Sequence, residues 1–187
     1  GVAARITAPG SLGFGNVRVN SSSSLTLRIT NTGTAPLNLT GASVTGSTIF
    51  SLPSPSLPTN IAANGGFADL LVRCAPTAMG TFSATLTLAS NAINGPANVA
   101  LTCAGVAPQL TSTPSWVEFS SVLRTTTATQ YLYITNSGTA PLTLASATTS
   151  GAPFSIGTTL PVTVAVGGTS AIAVRCSPTA PGYNQGT

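Results

Sequence analysis

Histidine and lysine are absent from this chain of 187 residues, and Asp69 and Glu118 are its only acidic side chains. Each absence removes a chemistry. Without histidine there is no Ser-His-Asp triad and no Cys-His pair. Without lysine a Ser-Lys dyad, a Schiff base and a Lys–Asn isopeptide crosslink are all excluded. Two isolated acids do not supply the paired carboxylates of a glycosidase. No Gly-x-x-x-x-Gly-Lys phosphate loop occurs, and three distant cysteines without histidine lack the ligand spacing of a zinc site. The expectation is a protein that is not an enzyme and holds no metal or cofactor.

Charge is scarce as well. Charged residues make up 4% of the chain, against roughly 25% in an ordinary soluble domain. The six cations, Arg5, Arg18, Arg28, Arg73, Arg124 and Arg175, are spread along the chain, so the excess of +4 forms no patch able to displace counterions from nucleic acid. No apolar run approaches the ~20 residues of a membrane-spanning helix, and no signal-peptide pattern is present. Membrane insertion and nucleic-acid binding are therefore not expected. If the protein is secreted, its export signal has been removed or lies outside this segment.

Serine and threonine, more than a quarter of the residues, carry most of the polarity. Apolar residues amount to 42% and alternate regularly, which argues against disorder. Leu25, Leu27 and Ile29 share one face of a strand opposite Thr26, Arg28 and Thr30. Phe82, Ala84, Leu86 and Leu88 alternate with Ser83, Thr85 and Thr87. Leu70, Val72 and Cys74 point one way, as do Val99, Leu101 and Cys103. Turn signals separate these runs, at Asn31-Thr-Gly33, Asn64-Gly-Gly66, Asn94-Gly-Pro96, Asn136-Ser-Gly138 and Gly167-Gly168. Short strands with a turn every 8–12 residues are the signature of an all-β antiparallel sandwich.

The chain also repeats itself. Leu27-Arg-Ile-Thr-Asn-Thr-Gly-Thr-Ala-Pro-Leu-Asn-Leu39 returns as Leu132-Tyr-Ile-Thr-Asn-Ser-Gly-Thr-Ala-Pro-Leu-Thr-Leu144, 105 residues on. Val72-Arg-Cys-Ala-Pro-Thr-Ala-Met-Gly80 returns as Val174-Arg-Cys-Ser-Pro-Thr-Ala-Pro-Gly182, 102 residues on. Two tandem sandwiches follow, over residues 1–107 and 108–187. They are joined near Gly105-Val-Ala-Pro108, a short proline-containing link expected to hold them as a semi-rigid pair.

The ordered set Asn-Thr-Gly-Thr-Ala-Pro-Leu, Phe50-Ser, Cys-Ala-Pro-Thr-Ala-x-Gly-Thr-Phe and Leu101-Thr-Cys-Ala-Gly105 resembles the ASH/hydin-type immunoglobulin-like repeats. These are related to major sperm protein and include the bacterial choice-of-anchor D repeats. The resemblance covers essentially the whole chain, twice. It implies a seven- or eight-stranded sandwich used for scaffolding or at cell surfaces, with no family-wide active site. Cysteine at the first position departs from the many members that carry phenylalanine or another apolar residue there.

The repeat frame also predicts that the second domain lacks its last two strands within this chain. Copy one continues through Phe82–Leu88 and Val99–Cys103, whereas copy two stops five residues after Gly182. Gly1-Val2-Ala3 echoes Gly105-Val106-Ala107, so the chain reads as a slice of an array. A segment of a longer protein accounts for this; strand donation by a neighbouring subunit is the alternative.

Cys74 and Cys103 lie on inward faces of the same repeat. A Cys74–Cys103 disulfide is expected, with two buried thiols as the alternative. Cys176 matches Cys74 and is left unpaired or paired between molecules. The disulfide would place the chain in an oxidising compartment: extracellular, cell-surface or periplasmic.

Candidate contact residues are few. Tyr131 and Tyr133 flank inward Leu132 and project outward, as a contact surface or as lateral packing. Arg73 and Arg175 recur beside the cysteines on the outward face, where an anionic polymer or plain solvent could meet them. Trp116 is read as a domain-edge core residue. Asn20-Ser-Ser and Asn38-Leu-Thr match the glycosylation sequon and are read as chance matches.

Lysine and other charges commonly guard sheet edges, and their scarcity leaves edge-to-edge association poorly opposed. The function expected is that of a non-enzymatic structural repeat of a secreted or cell-surface protein, bacterial in type. It would assemble with neighbouring repeats or identical subunits, as in a filament or fibrous layer. A ligand-binding or adhesive display module, with its ligand unidentified, and an intracellular scaffold are the alternatives.

Overall fold

The computed structural model describes residues 1–54, 57 and 59–187. The chain divides into two compact units, Gly1–Val106 and Ala107–Thr187. Among the described residues every regular element is a strand.

Unit 1 contains β1 (Ile6–Thr7), β2 (Ser11–Arg18), β3 (Ser23–Asn31), β4 (Leu37–Gly46), β5 (Phe50–Ser54), β6 (Thr59–Ile61), β7 (Phe67–Cys74), β8 (Gly80–Ser90) and β9 (Ala97–Val106). They form two sheets, with strand orders β1-β3-β7-β5 and β2-β9-β8-β4-β6. The alternation expected at Leu70, Val72 and Cys74, and at Val99, Leu101 and Cys103, is realised: all six are buried between the sheets, while Asp69, Arg73, Ala100 and Thr102 face out. This inward set, with Leu27, Ile29, Leu86 and Leu88, makes one continuous core. Period-two burial is the physical reason these segments are strands.

The strand count is higher than the resemblance implies because the first strand changes sheet. β1 pairs antiparallel with β3, and after Ala8-Pro9-Gly10 the chain crosses to pair β2 parallel with β9. Proline supplies no amide for a ladder, so the run breaks there.

Unit 2 contains β10 (Leu110–Thr113), β11 (Ala128–Asn136), β12 (Leu142–Leu144), β13 (Phe154–Ile156), β14 (Val162–Val164) and β15 (Thr169–Cys176). Its four-stranded sheet, β10-β11-β15-β13, repeats the order β1-β3-β7-β5. The second sheet differs: among the described residues it has only β12 and β14, the counterparts of β4 and β6. The segment matching β2, Val117–Leu123, forms no strand. In unit 1 that strand exists as the parallel partner of β9, and a single strand without a ladder does not form.

Candidate functional site

The two units share one internal device. Asn31 and Asn136, at the C-terminal ends of β3 and β11, are fully buried. The Asn31 Nδ2 donates to the carbonyls of Ala35 (2.8 Å), Ala62 (3.1 Å) and Ile61 (3.2 Å). Its Oδ1 accepts from the amides of Gly33 (3.0 Å) and Arg5 (3.3 Å). Asn136 repeats the pattern: Nδ2 donates to Ala140 (2.8 Å) and Val164 (3.1 Å), and Oδ1 accepts from Gly138 (3.0 Å) and Gln109 (3.3 Å). One side chain thus ties three separate segments together. Gly33 and Gly138 are required beside it, because a Cβ at Gly33 would overlap the Ala3 carbonyl and one at Gly138 the Ala107 carbonyl. Sequence reasoning sees Asn-x-Gly only as a turn signal; its recurrence at 31–33 and 136–138 is the trace of this hub.

The cysteines divide between the units. Cys74 on β7 and Cys103 on β9 form a disulfide across the two sheets, with Cα atoms 6.7 Å apart. Cys176, at the end of β15, is a buried free thiol.

Around Cys176 unit 2 opens into a cleft of about 1380 Å³, whose walls include Trp116, Phe119, Leu132, Phe154, Val174 and Cys176. The counterparts of three of these, Leu27, Val72 and Cys74, are fully buried in unit 1. Phe119 and Phe154 pack at 5.8 Å between centroids, as Phe14 and Phe50 do at 5.9 Å in unit 1. Leu132, Val174 and Phe154 are only half-buried. The cleft walls therefore correspond to residues of the unit 1 core. Trp116, expected at the edge of the core, is instead 67% exposed on the cleft rim, next to the β2-like segment that forms no strand.

The outward side of the four-stranded sheet is the second surface. In unit 2 Tyr131 and Tyr133 stand opposite Ala173 and Ala171, and Arg175 stands between Thr129 and Ser155. Both tyrosines are about half exposed (50% and 48%), and the alanines leave room for the rings. Gly157 packs beneath the Arg175 guanidinium, where any added Cβ would collide. The fold brings Tyr131, Tyr133 and Arg175 to one face; Arg73 lies on the equivalent face of unit 1.

That unit 1 face carries a feature the sequence did not reveal. Arg28 Nε and Nη2 donate to the two carboxylate oxygens of Asp69, each at 2.8 Å, across paired positions of β3 and β7. The guanidinium also lies 4.0 Å from the centre of the Phe67 ring. Hydrogen bonding from Arg28 holds the Asp69 carboxyl below the ordinary carboxylate range and raises the Arg28 guanidinium. The signal available was positional: Asp69 and Arg28 alternate out of step with the apolar rows of their strands. Elsewhere, among the described residues, no cluster of three or more His, Cys, Asp or Glu is placed to hold a metal ion. Among the described residues no helix is long and apolar enough to cross a membrane.

Similarity to other proteins falls along the same lines. The chain is similar to the ASH/PapD-like domain 7 of human CEP192 (12% identity, TM-score 0.44), over 55% of this chain and 86% of that one. It is similar to the VesB protease of Vibrio cholerae (17% identity, TM-score 0.45), over 54% of this chain and 32% of that one. It is also similar to the secreted serine protease VesC of Vibrio cholerae (12% identity, TM-score 0.46), over 94% of this chain and 47% of that one. The chain thus spans under half the length of either Vibrio protein. No curated protein matches it. The model of the HYDIN/CFA65/VesB-like Ig-like domain matches residues 5–106 and again 108–186. With two matches that follow one another across nearly all of its length, each containing its own buried asparagine hub, the chain belongs to the HYDIN/CFA65/VesB-like Ig-like domain family.

Proposed function

We propose that this chain is a non-enzymatic structural segment of a secreted or cell-surface protein, in which immunoglobulin-like repeats act as spacers and assembly elements. The observation that carries this reading is the recurrence of one module, hub for hub, with a disulfide pinning the two sheets of the first copy. Stable disulfides belong to oxidising compartments, which supports an extracellular, surface or periplasmic location. Support for assembly comes from a sheet edge: among the described residues β14, like β6 in unit 1, ends its sheet and carries no charged side chain, and unprotected edges invite pairing with other chains. Identical subunits or neighbouring repeats are the partners this favours.

The test is thiol labelling in the native cell. Cys74 and Cys103 should resist a membrane-permeant maleimide until a reductant is added, and protease applied to intact cells should reach the chain. Direct labelling of both cysteines in untreated cells would overturn the location and favour an intracellular scaffold.

A second reading, ligand display, is favoured by the Tyr131, Tyr133 and Arg175 face, where two half-exposed aromatic rings stand beside a cation. Tyrosines of this kind are common at protein contacts. A Tyr131→Ser, Tyr133→Ser double variant that abolishes surface attachment while leaving self-association intact would move the assignment to display.

A further inference from the structure

The outward faces of the two four-stranded sheets carry different chemistry on the same frame. In unit 1 Arg28 stands opposite Asp69 and Thr30 opposite Phe67, and the guanidinium is held by both carboxylate oxygens and by the ring. The charge and the aromatic surface of that face satisfy each other. In unit 2 the matching positions hold Tyr133 opposite Ala171 and Thr135 opposite Thr169. Thr26 and Leu71 are likewise replaced by Tyr131 and Ala173. The ion pair is gone, and two half-exposed rings stand beside methyl groups.

The result is a shallow trough along β15. Ala171 and Ala173 form its floor, and the tyrosines of β11 form one wall, their Cα atoms about 7 Å apart. The chain after β13 bounds the other side: the Gly157 amide donates to the Ala173 carbonyl at 2.7 Å, and the Ala173 amide donates to the Thr158 Oγ1 at 2.7 Å. The two sides lie about 10 Å apart, twice the spacing of paired strands. Arg175 closes one end, with Thr129 and Ser155 as its cross-strand neighbours. A Cβ at Gly157 would come within 2.6 Å of its Nε and 2.9 Å of its Cζ, so the glycine is what lets the guanidinium lie there. The corresponding residue of unit 1 is Pro53. No acid is left to meet Arg175: Asp69 is bonded to Arg28, and Glu118 lines the cleft on the other side of the sheet.

We infer that this trough binds an acidic polysaccharide, whose sugar rings lie against Tyr131 and Tyr133 and whose carboxylate or sulfate pairs with Arg175. The inference rests on the ligand-display reading and names the ligand class for that face. The charge selects an anion, because a guanidinium without a partner acid presents a planar fork of donors to a carboxylate or sulfate. The rings select a sugar, since the negative face of an aromatic ring attracts the polarised C–H groups of a pyranose. Hydroxyls of Thr129 and Ser155 beside the guanidinium, and of Thr113 beside Tyr133, offer both donors and acceptors to a polyol. An extended acidic peptide is disfavoured, because β15 is already paired on both sides within its sheet and no strand can be added to it.

The experiment measures binding of the full chain to immobilised polygalacturonate, dextran sulfate, uncharged dextran and poly-L-glutamate at physiological ionic strength. One or both acidic glycans should bind at least about tenfold more tightly than dextran or polyglutamate, and the preference between them names the anionic group. Arg175→Ala and the Tyr131→Ser, Tyr133→Ser double variant should each weaken binding at least about tenfold, the loss expected for a charge-assisted hydrogen bond or a stacked ring. Gly157→Ala should weaken it as well by displacing the guanidinium, without removing any group that touches the glycan. Arg73→Ala makes the same change of charge on unit 1 and should leave binding unaltered. Equal binding to polyglutamate, or an equal loss in Arg73→Ala, reduces the effect to net charge and overturns the inference. Equal binding to dextran, or no binding to either acidic glycan, overturns it too. If the tyrosine double variant loses surface attachment while the parent binds neither glycan, ligand display stands and the acidic polysaccharide falls.

Discussion

The Gly33 amide donates to the Asn31 side-chain oxygen at 3.0 Å, and Gly138 donates to Asn136 at the same 3.0 Å. In both units the amide and the side chain are buried, and the asparagine nitrogen points the other way, into carbonyls of two further segments. The short Asn-x-Gly turn is thus the point where the first strand, the turn after β3 or β11, and the loop before β7 or β15 are tied together.

Asn31→Ala leaves the Ala35, Ile61 and Ala62 carbonyls without their donor and should cost unit 1 about 3 kcal/mol, the scale of orphaned buried polar groups. Asn31→Asp should be worse, since a carboxylate brings acceptors where three carbonyls already face it. Urea unfolding of the full chain, with hydrogen exchange to separate the units, measures both. Equal stability of wild type and Asn31→Ala would remove the hub from the account of the fold.

Gly33→Ala drives a methyl group into the Ala3 carbonyl. Overpacking of this kind costs about 1–3 kcal/mol. The damage should be local: amides bonded across this contact, Thr32 to Arg5 and Thr34 to Ala3, should lose exchange protection before those of β8 and β9. Gly138→Ala should act likewise through the Ala107 carbonyl, which accepts from the Thr139 and Ala140 amides.

Cys74 and Cys103 are separated by 29 residues, and a closed loop of that size stabilises by roughly 3–4 kcal/mol in the chain-entropy model. The Cys74→Ala, Cys103→Ala chain should therefore unfold at least about 10 °C below the parent in unit 1 by calorimetry. Reductant should lower the parent toward the variant and leave the variant unmoved. A parent insensitive to reductant would show that the crosslink contributes nothing to the folded state.

The Arg28–Asp69 pair gives a small pH dependence with a defined sign. The Asp69 carboxyl is held below its ordinary range in the folded chain. Its contribution is therefore complete above the unfolded aspartate pKa, about 3.9, and is lost as pH falls through the lower folded value. The pair is exposed, with side-chain accessibilities of 58% and 37%, so salt should weaken it. Asp69→Asn should lower stability slightly at neutral pH, leave it unchanged in strong acid, and so flatten the acid limb of the stability profile. An unaltered acid limb would show that the pair is energetically silent.

Much of this was legible in the residues. The inward rows of β3, β7, β8 and β9 follow from period-two alternation, because a strand offers only two faces and one must avoid water. The outward placement of Tyr131, Tyr133, Arg73 and Arg175 follows from the same rule. Trp116 was misread because that rule applies only within a strand, and residues 114–127 form none. The buried role of Asn31 was hidden for a related reason. An asparagine followed by glycine reads as a solvent-facing turn, and only the convergence of three chain segments turns it into an interior group.

The amino-acid sequence by itself determined the repeat, the all-β class and which side chains face inward, since these depend on local period and on comparison of one copy with the other. The tertiary structure alone decided that Asn31 and Asn136 are hubs and that Arg28 meets Asp69. Those facts depend on which segments lie side by side across long separations, and hydrogen-bond geometry and burial exist only once the strands have met.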